Sequence, residues 1–351
     1  MVAAKPRTFT SISPDSIVLG SIPFNLYASA AGGRLVLFCR AGLEITERHK
    51  EMLARMARQL YISSAEIEPY LGYASEQTVK QLASSSLSPA KKANIVTGVG
   101  SVIMQALLKD PRSGEIDSHS ERYVDLMVEL VLNSPSARDH LFVLSFTKNY
   151  LLAHSVNVCT FCILIAQNLY HGNKEVLWEL GLGGLLHDIG MTQIDPEVYG
   201  KSRLLNDDEK EVVRKHPRHS YELLAEKGLS DGVLEMARSH HERADGSGYP
   251  YGIKGNEIHP FARIIAVIDV YDSLTSDRPH RQRFKPMQAL KEMWDFRKCF
   301  EPIVLKELSR LVLRGSKLLE RFEKNMRLPP GALRASSSWQ PKWSLDDLCP
   351  F

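Results

Sequence analysis

The feature that most constrains the fold of this chain is a charged pair set behind an apolar helix face, Leu185-Leu186-His187-Asp188-Ile189-Gly190. Burying an imidazole and a carboxylate without partners costs several kcal/mol. Any fold that packs the leucines inward must therefore bring other polar groups to meet the pair. Four further places in helical surroundings carry the same residue types: His154, His216, the adjacent His240-His241, and Asp269 behind Ile264-Ile265-Ala266-Val267-Ile268. A single histidine on an apolar helix is ordinarily a core or surface residue; the set together points to a metal centre. Imidazole and carboxylate suit iron, manganese or zinc, whereas a magnesium site would be mostly oxygen. Neighbours on a helix point about a quarter-turn apart. His187 can therefore serve one metal while Asp188 bridges to a second, as a dinuclear site about 3.5–4 Å across requires. Glu242 and the glycine-rich Asp245-Gly246-Ser247-Gly248-Tyr249-Pro250 follow the second histidine pair, an irregular loop of the kind that lines sites.

Around this centre the pattern is mostly helical. At 351 residues the chain is long enough for two domains. Residues 1–85 read as a small α/β module. Apolar runs at Phe24–Ala28 and Leu35–Cys39, separated by Gly32-Gly33, suggest a hairpin. Thr46 caps a helix with Met52, Leu53, Met56 and Leu60 on one face, and a short strand follows at Leu60–Ile62. The module holds no phosphate-binding loop, and its expected role is regulatory or dimerising. Ser84-Ser85-Ser86, Ser88 and Pro89 mark a boundary. From 90 to 328 helix follows helix. One run (Tyr123, Leu126, Met127, Leu130, Val131) ends at Ser134-Pro135, and others cover roughly 148–170, 174–186, 207–228, 231–241, 258–275, 286–296 and 302–324. Beyond Pro329-Pro330, residues 329–351 lack periodicity and read as an extended tail.

Charge narrows the partners. With 44 basic against 41 acidic side chains the net charge is +3, so phosphate binding must be local, and DNA or RNA polymers are not expected partners. Five scattered cysteines suit a reducing compartment; Cys159 and Cys162 lie in an apolar helical run and read as core. The N-terminus lacks a secretory pattern, and Val156–Ala166, the most apolar stretch, is too short to span a bilayer. These features predict a cytoplasmic protein without membrane insertion. Helices around 90–135 are compatible with a homodimer.

The ordered motifs are more specific than any of them alone. Leu-Leu-His187-Asp188-Ile-Gly, His216-Pro217, His240-His241-Glu242 with Gly248-Tyr249-Pro250, and Asp269-Val-Tyr-Asp272 through Asp277-Arg278-Pro279 resemble the HD-GYP family over roughly residues 145–320. The resemblance implies an all-helical HD fold that hydrolyses the bacterial messenger cyclic di-GMP to pGpG or GMP at a di- or trinuclear iron or manganese centre. It implies that His187, Asp188 and Asp269 hold one metal and His216, His240 and His241 the second, with Asp188 bridging. His154 matches a ligand of the preceding helix, for either ion. A water or hydroxide between the metals would attack phosphorus. Tyr249 would contact substrate, Arg278 and Arg281 its phosphates, and Asp272 would support the ligands or join them.

Two positions depart from the pattern. Met191 stands where the family has a lysine, and Tyr150 where trinuclear members carry a glutamate, so two metals are expected rather than three. Met191 also raises two alternatives to the phosphodiesterase reading: a sensor that binds cyclic dinucleotide or a partner without turnover, and a hydrolase for another nucleotide. His219 is expected at the surface. Arg283 and Lys285, beside the two arginines, form a basic cluster that is either solvated or turned to phosphate.

Overall fold

The computed structural model describes residues 8–29, 34–56, 59–146, 150–278 and 281–325. They fall into two compact units, Met1–Leu130 and Val131–Phe351.

The first unit contains a four-stranded antiparallel sheet. Its strands are β1 (Phe9–Ile12), β3 (Leu26–Ser29), β4 (Leu35–Cys39) and β6 (Leu60–Ser63), in the order β1-β6-β3-β4; β2 (Gly20–Ser21) and β5 (Glu44–Ile45) pair separately. Leu26, Ala28, Leu60 and Ile62 alternate inward, as a sheet with one covered face requires. The expected hairpin is the β3–β4 pair, with Leu26 opposite Cys39; its Gly32-Gly33 turn lies outside the described residues. Helices α1 (Glu47–Met56), α2 (Ile67–Ala83), α3 (Pro89–Lys109) and α4 (Gly114–Asn133) follow. The face expected for α1 is corrected. Leu53 is buried, but Met52 is exposed and Leu60 belongs to β6, where it pairs with Ile12 and Ala28. The serine-rich stretch at 84–89 is a turn between α2 and α3 inside the first unit, not its end. Ser88 caps α3, whose Val96, Val99, Val102 and Ile103 are buried, and Gly100 lets Tyr123 of α4 approach closely. Apolar faces this wide stay with the sheet-bearing unit, so its boundary falls near 130. The tail from 329 lies outside the described residues.

The second unit is helical: α5 (Pro135–Leu144), α6 (Tyr150–Leu169), α7 (Lys174–Leu186), α8 (Pro196–Tyr199), α9 (Asp207–Val213), α10 (His216–Ala225), α11 (Asp231–Ser239), α12 (Pro260–Thr275), α13 (Pro286–Asp295) and α14 (Pro302–Asn325). At its centre α6 packs on α7 and α12. A Cβ on Gly184 would stand 3.0 Å from Cys159 Cα and 3.2 Å from Cys162 Sγ, so small residues set how closely α6 and α7 approach. Both cysteines are fully buried core residues, as expected. The single helix expected at 207–228 is two. Pro217 has no N–H for the Val213 carbonyl and disfavours helix at the residue before it, so the chain breaks between α9 and α10. Among the described residues no helix is long and apolar enough to cross a membrane.

Candidate metal centre

Helix ends build this site. The last carbonyls of a helix lack N–H partners, and three histidines occupy such places. His187 follows α7 and places Nδ1 2.9 Å from the Gly184 carbonyl. His240 follows α11 and places Nδ1 3.0 Å from the Ala237 carbonyl and 3.1 Å from Met236. His216 opens α10 and places Nδ1 2.8 Å from the Val213 carbonyl that Pro217 leaves without an amide. A carbonyl only accepts, so each ring carries its proton on Nδ1 and presents the lone pair of Nε2 to the interior. His154, within α6, does the same with Nδ1 2.8 Å from Asp272 Oδ2.

These lone pairs meet one another. His154 Nε2 is 3.3 Å from His187 Nε2, and His216 Nε2 is 3.1 Å from His240 Nε2 and 3.2 Å from His241 Nε2. Where neither nitrogen bears a proton, such contacts repel unless a cation lies between them. Ligands about 2.0–2.1 Å from one metal sit about 3.0–3.4 Å from each other, which is the spacing seen. The donors form two groups, His154 with His187 and Asp269, and His216 with His240, His241 and Asp188; within each group the ligand atoms lie within 4.8 Å of one another. Asp188 faces both. Its Oδ2 is 3.4 Å from His154 Nε2 and from His187 Nε2, while Oδ1 is 3.2 Å from His216 Nε2 and 3.3 Å from His240 Nε2. Asp269 Oδ1 is 3.3 Å from His154 Nε2, and its Oδ2 is 3.8 Å from His241 Nδ1. All seven residues expected as ligands thus converge, and His154 stands with His187 and Asp269.

The electrostatics agree. Burial pushes His187 down to about 4, so it is neutral near pH 7. Burial, with the imidazoles of His240 and His216 beside it, holds His241 well below the usual value. Burial opposes ionisation of Asp188, but the surrounding imidazoles, His187 foremost, hold its carboxyl well below the usual range. Against the effect of burial, the carboxylates pull His154 and His240 upward, the response of imidazoles to concentrated negative charge. The residues fit divalent transition metals.

Asn157 escaped the sequence reading. Its Nδ2 donates to Asp272 Oδ1 at 2.9 Å and to the Ser145 carbonyl at 3.2 Å, so it orients the carboxylate that orients His154. The signal was available: Asn157 lies three residues after His154, one helical turn along the same face. Asp272→Ala is expected to weaken metal binding about 10–100-fold, the usual cost of removing a group that orients a ligand. Competition with a chromogenic chelator measures it, and unchanged affinity would refute this role for Asp272.

Close backbone approaches complete the frame. A Cβ on Gly190 would lie 2.2 Å from the His216 carbonyl oxygen and 2.3 Å from Ser220 N, and Gly190 N donates to Ser220 Oγ at 2.8 Å. A Cβ on Gly248 would lie 2.4 Å from Arg243 N, so the Asp245–Pro250 loop presses on the backbone after His241. Glu242, raised by burial, is no ligand; it accepts the amide of Tyr251 at 2.7 Å and holds that loop. Tyr249 stacks on the His241 ring, centroids 4.7 Å apart and planes 23° from parallel.

The other expected residues are placed as follows. Arg278 and Arg281 are buried. Arg278 Nη2 donates to Ser273 Oγ at 2.9 Å. Arg281 gives Nη2 to the Ser273 carbonyl at 2.7 Å and Nη1 to Leu274 at 3.2 Å, capping the end of α12. Arg283 bonds the Phe146 carbonyl, so this part of the basic cluster is tied to protein rather than solvated. Met191 packs on the apolar cluster of Ile194, Leu205 and Val213. His219 is half-buried at the rim, 3.6 Å from Glu222. The side chain of Tyr150 lies outside the described residues.

Comparison with known proteins bears on the same stretch. The HD domain family model matches residues 143–303. A cyclic di-GMP phosphodiesterase of Pseudomonas aeruginosa is 36% identical over 210 residues, covering 59% of this chain and 50% of that protein. The cyclic di-GMP phosphodiesterase response regulator RpfG of Xanthomonas campestris is 38% identical over 163 residues, 45% of this chain and 42% of its own length. A 3'3'-cGAMP-specific phosphodiesterase of Vibrio cholerae is 32% identical over 178 residues, 46% and 38% respectively. The chain thus spans half or less of the length of these curated relatives. In fold it is similar to an HD-GYP-type protein of Bdellovibrio bacteriovorus, with a TM-score of 0.63, 19% identity, and coverage of 87% of this chain and 99% of that one. The histidines and aspartates of its motifs thus gather in one buried cluster within the stretch, residues 143–303, that matches the HD domain family model.

Proposed function

We propose that this protein is a metal-dependent phosphodiesterase that hydrolyses cyclic di-GMP to pGpG and, after a second cut, to GMP. The observation that carries the reading is Asp188, whose two oxygens face two separate sets of imidazoles. His154, His187 and Asp269 with Asp188 Oδ2 would hold one cation, and His216, His240 and His241 with Asp188 Oδ1 the second. The mixed nitrogen and oxygen donors favour iron, with manganese next. Two such cations supply Lewis acidity, lowering the pKa of water and neutralising charge on phosphoryl oxygens. Within that frame Asp188 is the catalytic carboxylate that keeps the two halves in register. Tyr249 contacts the substrate from the loop beside His241. The guanidinium charges of Arg278 and Arg281 at the end of α12 favour its phosphates. The N-terminal unit serves regulation or dimerisation. A small cyclic messenger, rather than a nucleic-acid polymer, is the partner, which suits a cytoplasmic enzyme.

The test is direct. Anaerobically purified protein supplied with ferrous iron or manganese should convert cyclic di-GMP to the linear dinucleotide, seen by chromatography, and a chelator should abolish conversion. Binding of cyclic di-GMP without conversion would favour the sensor reading, which Met191 motivates. Faster conversion of 3'3'-cGAMP would move the substrate to the mixed dinucleotide, as the Vibrio cholerae relative suggests.

Met191 makes its own prediction. Its thioether sits against Ile194, Leu205 and Val213, so no ammonium stands at that position. Met191→Lys is expected to raise kcat about tenfold, less than the 10²–10³ that one preorganised donor supplies. It should also lower Tm, because an ammonium meets apolar neighbours. An unchanged kcat would show that Met191 does not limit the rate.

A further inference from the structure

The segment His187–Gln193 carries no lysine or arginine, and Met191 within it is turned to Val213 and its apolar neighbours. The residue after Val213 is Arg214, at the break between α9 and α10, two residues before His216. Its guanidinium carbon lies 5.2 Å from the centroid of the Tyr249 ring. Tyr249 is itself stacked on His241, whose Nε2 is 3.2 Å from His216 Nε2. An unbroken chain of contacts thus runs from the imidazole cluster through an aromatic ring to a cation at its rim. Arg214 is held from the far side, Nη1 to Glu211 Oε1 at 2.7 Å, and a third of its side chain remains exposed.

Building on the function proposed above, we infer that Arg214 is a substrate-contacting residue that binds a phosphate of the cyclic dinucleotide. The reasons are geometric and chemical. The ring fixes the plane of the guanidinium by cation–π contact, which lowers the entropy lost when it grips an anion. Such a fork offers two parallel N–H donors to two phosphoryl oxygens, the strongest form of charge-assisted hydrogen bond. Arg278 and Arg281 give donors to Ser273 and the end of α12, inside the fold, whereas the Glu211 partner of Arg214 lies at the surface. The pairing with Glu211, two-thirds exposed, costs little to loosen when a dianionic ligand arrives.

The test compares wild type, Arg214→Ala and Arg214→Lys for hydrolysis of cyclic di-GMP, and for equilibrium binding of cyclic di-GMP by chelator-treated protein. Arg214→Ala is expected to raise both KM and Kd about tenfold and to leave kcat within about threefold; Arg214→Lys, which keeps the charge but not the fork, should recover only part of the loss. Metal content and Tm should match wild type, which a merely structural role would not leave unmoved. Equal KM and Kd in wild type and Arg214→Ala would overturn the inference and leave the proposed function standing. A loss of affinity that follows a loss of metal or Tm would also overturn it. A wild type that neither binds nor converts cyclic di-GMP would remove the function itself, and the role of Arg214 with it.

Discussion

Asp188→Ala protein is expected to emerge from anaerobic purification with most of its metal gone and with hydrolysis of cyclic di-GMP near the detection limit. The carboxylate lies between two imidazole groups, with His154 and His187 on Oδ2 and His216 and His240 on Oδ1, at 3.2–3.4 Å. Removing it deletes a donor from both halves at once. Breaking a buried charge network by taking out one partner costs about 3–5 kcal/mol, or about 10²–10⁴ in affinity by RT ln K. Metal should be lost from both halves together, because neither group is complete without residue 188. Elemental analysis after desalting, with a turnover assay on the same sample, measures the effect. Wild-type metal content in the variant would end the two-cation reading.

Gly190→Ala should be nearly as damaging without touching any ligand. The added methyl would lie 2.2 Å from the His216 carbonyl oxygen and 2.3 Å from Ser220 N. Both are backbone atoms, so no side-chain rotation relieves the clash. The turn Ile189–Gln193 must move away from α10, breaking the Gly190 N–Ser220 Oγ hydrogen bond and carrying Asp188 away from His216. Overpacking of this kind costs about 1–3 kcal/mol, which for a unit of this size lowers Tm by about 3–10 °C. Thermal unfolding with and without iron separates the two consequences: the protein should be less stable in both states and should gain less from metal. Ser220→Ala, which loses only the hydrogen bond, should lose about 1 kcal/mol. A Gly190→Ala protein with wild-type Tm and metal content would show that this close approach does not exist.

Both outcomes rest on how much of the site was readable before the fold. His154, His187, Asp188, His216, His240, His241 and Asp269 stand out as metal-ligand residue types in ordered motifs, with His187-Asp188 and Asp269 set behind apolar helix faces, and the structure gathers all seven. Asn157 did not stand out, because an amide three residues after a histidine looks like any polar position on a helix. Its meaning depends on Asp272, 115 residues away, receiving its hydrogen bond. Arg281 shows a second contact that the sequence hid. Its place after Asp269 suggested phosphate, and besides that its donors meet the carbonyls of Ser273 and Leu274, partners that exist only where α12 stops. The boundary expected at 85–90 followed local turn chemistry, which marks where a helix breaks; unit membership follows the burial of α3 and so falls near 130.

By itself the sequence determined what is local: the helical periodicity, the break that Pro217 forces before α10, and the donor types that must find one another once the apolar faces close. Tertiary structure alone decided which donors share a cation. It set His154 beside His187 and Asp269, and turned the two oxygens of Asp188 toward different imidazoles. The physical reason is range. Backbone propensity acts over one helical turn, whereas a metal grips atoms a few ångströms apart in space and does not register how much chain lies between them.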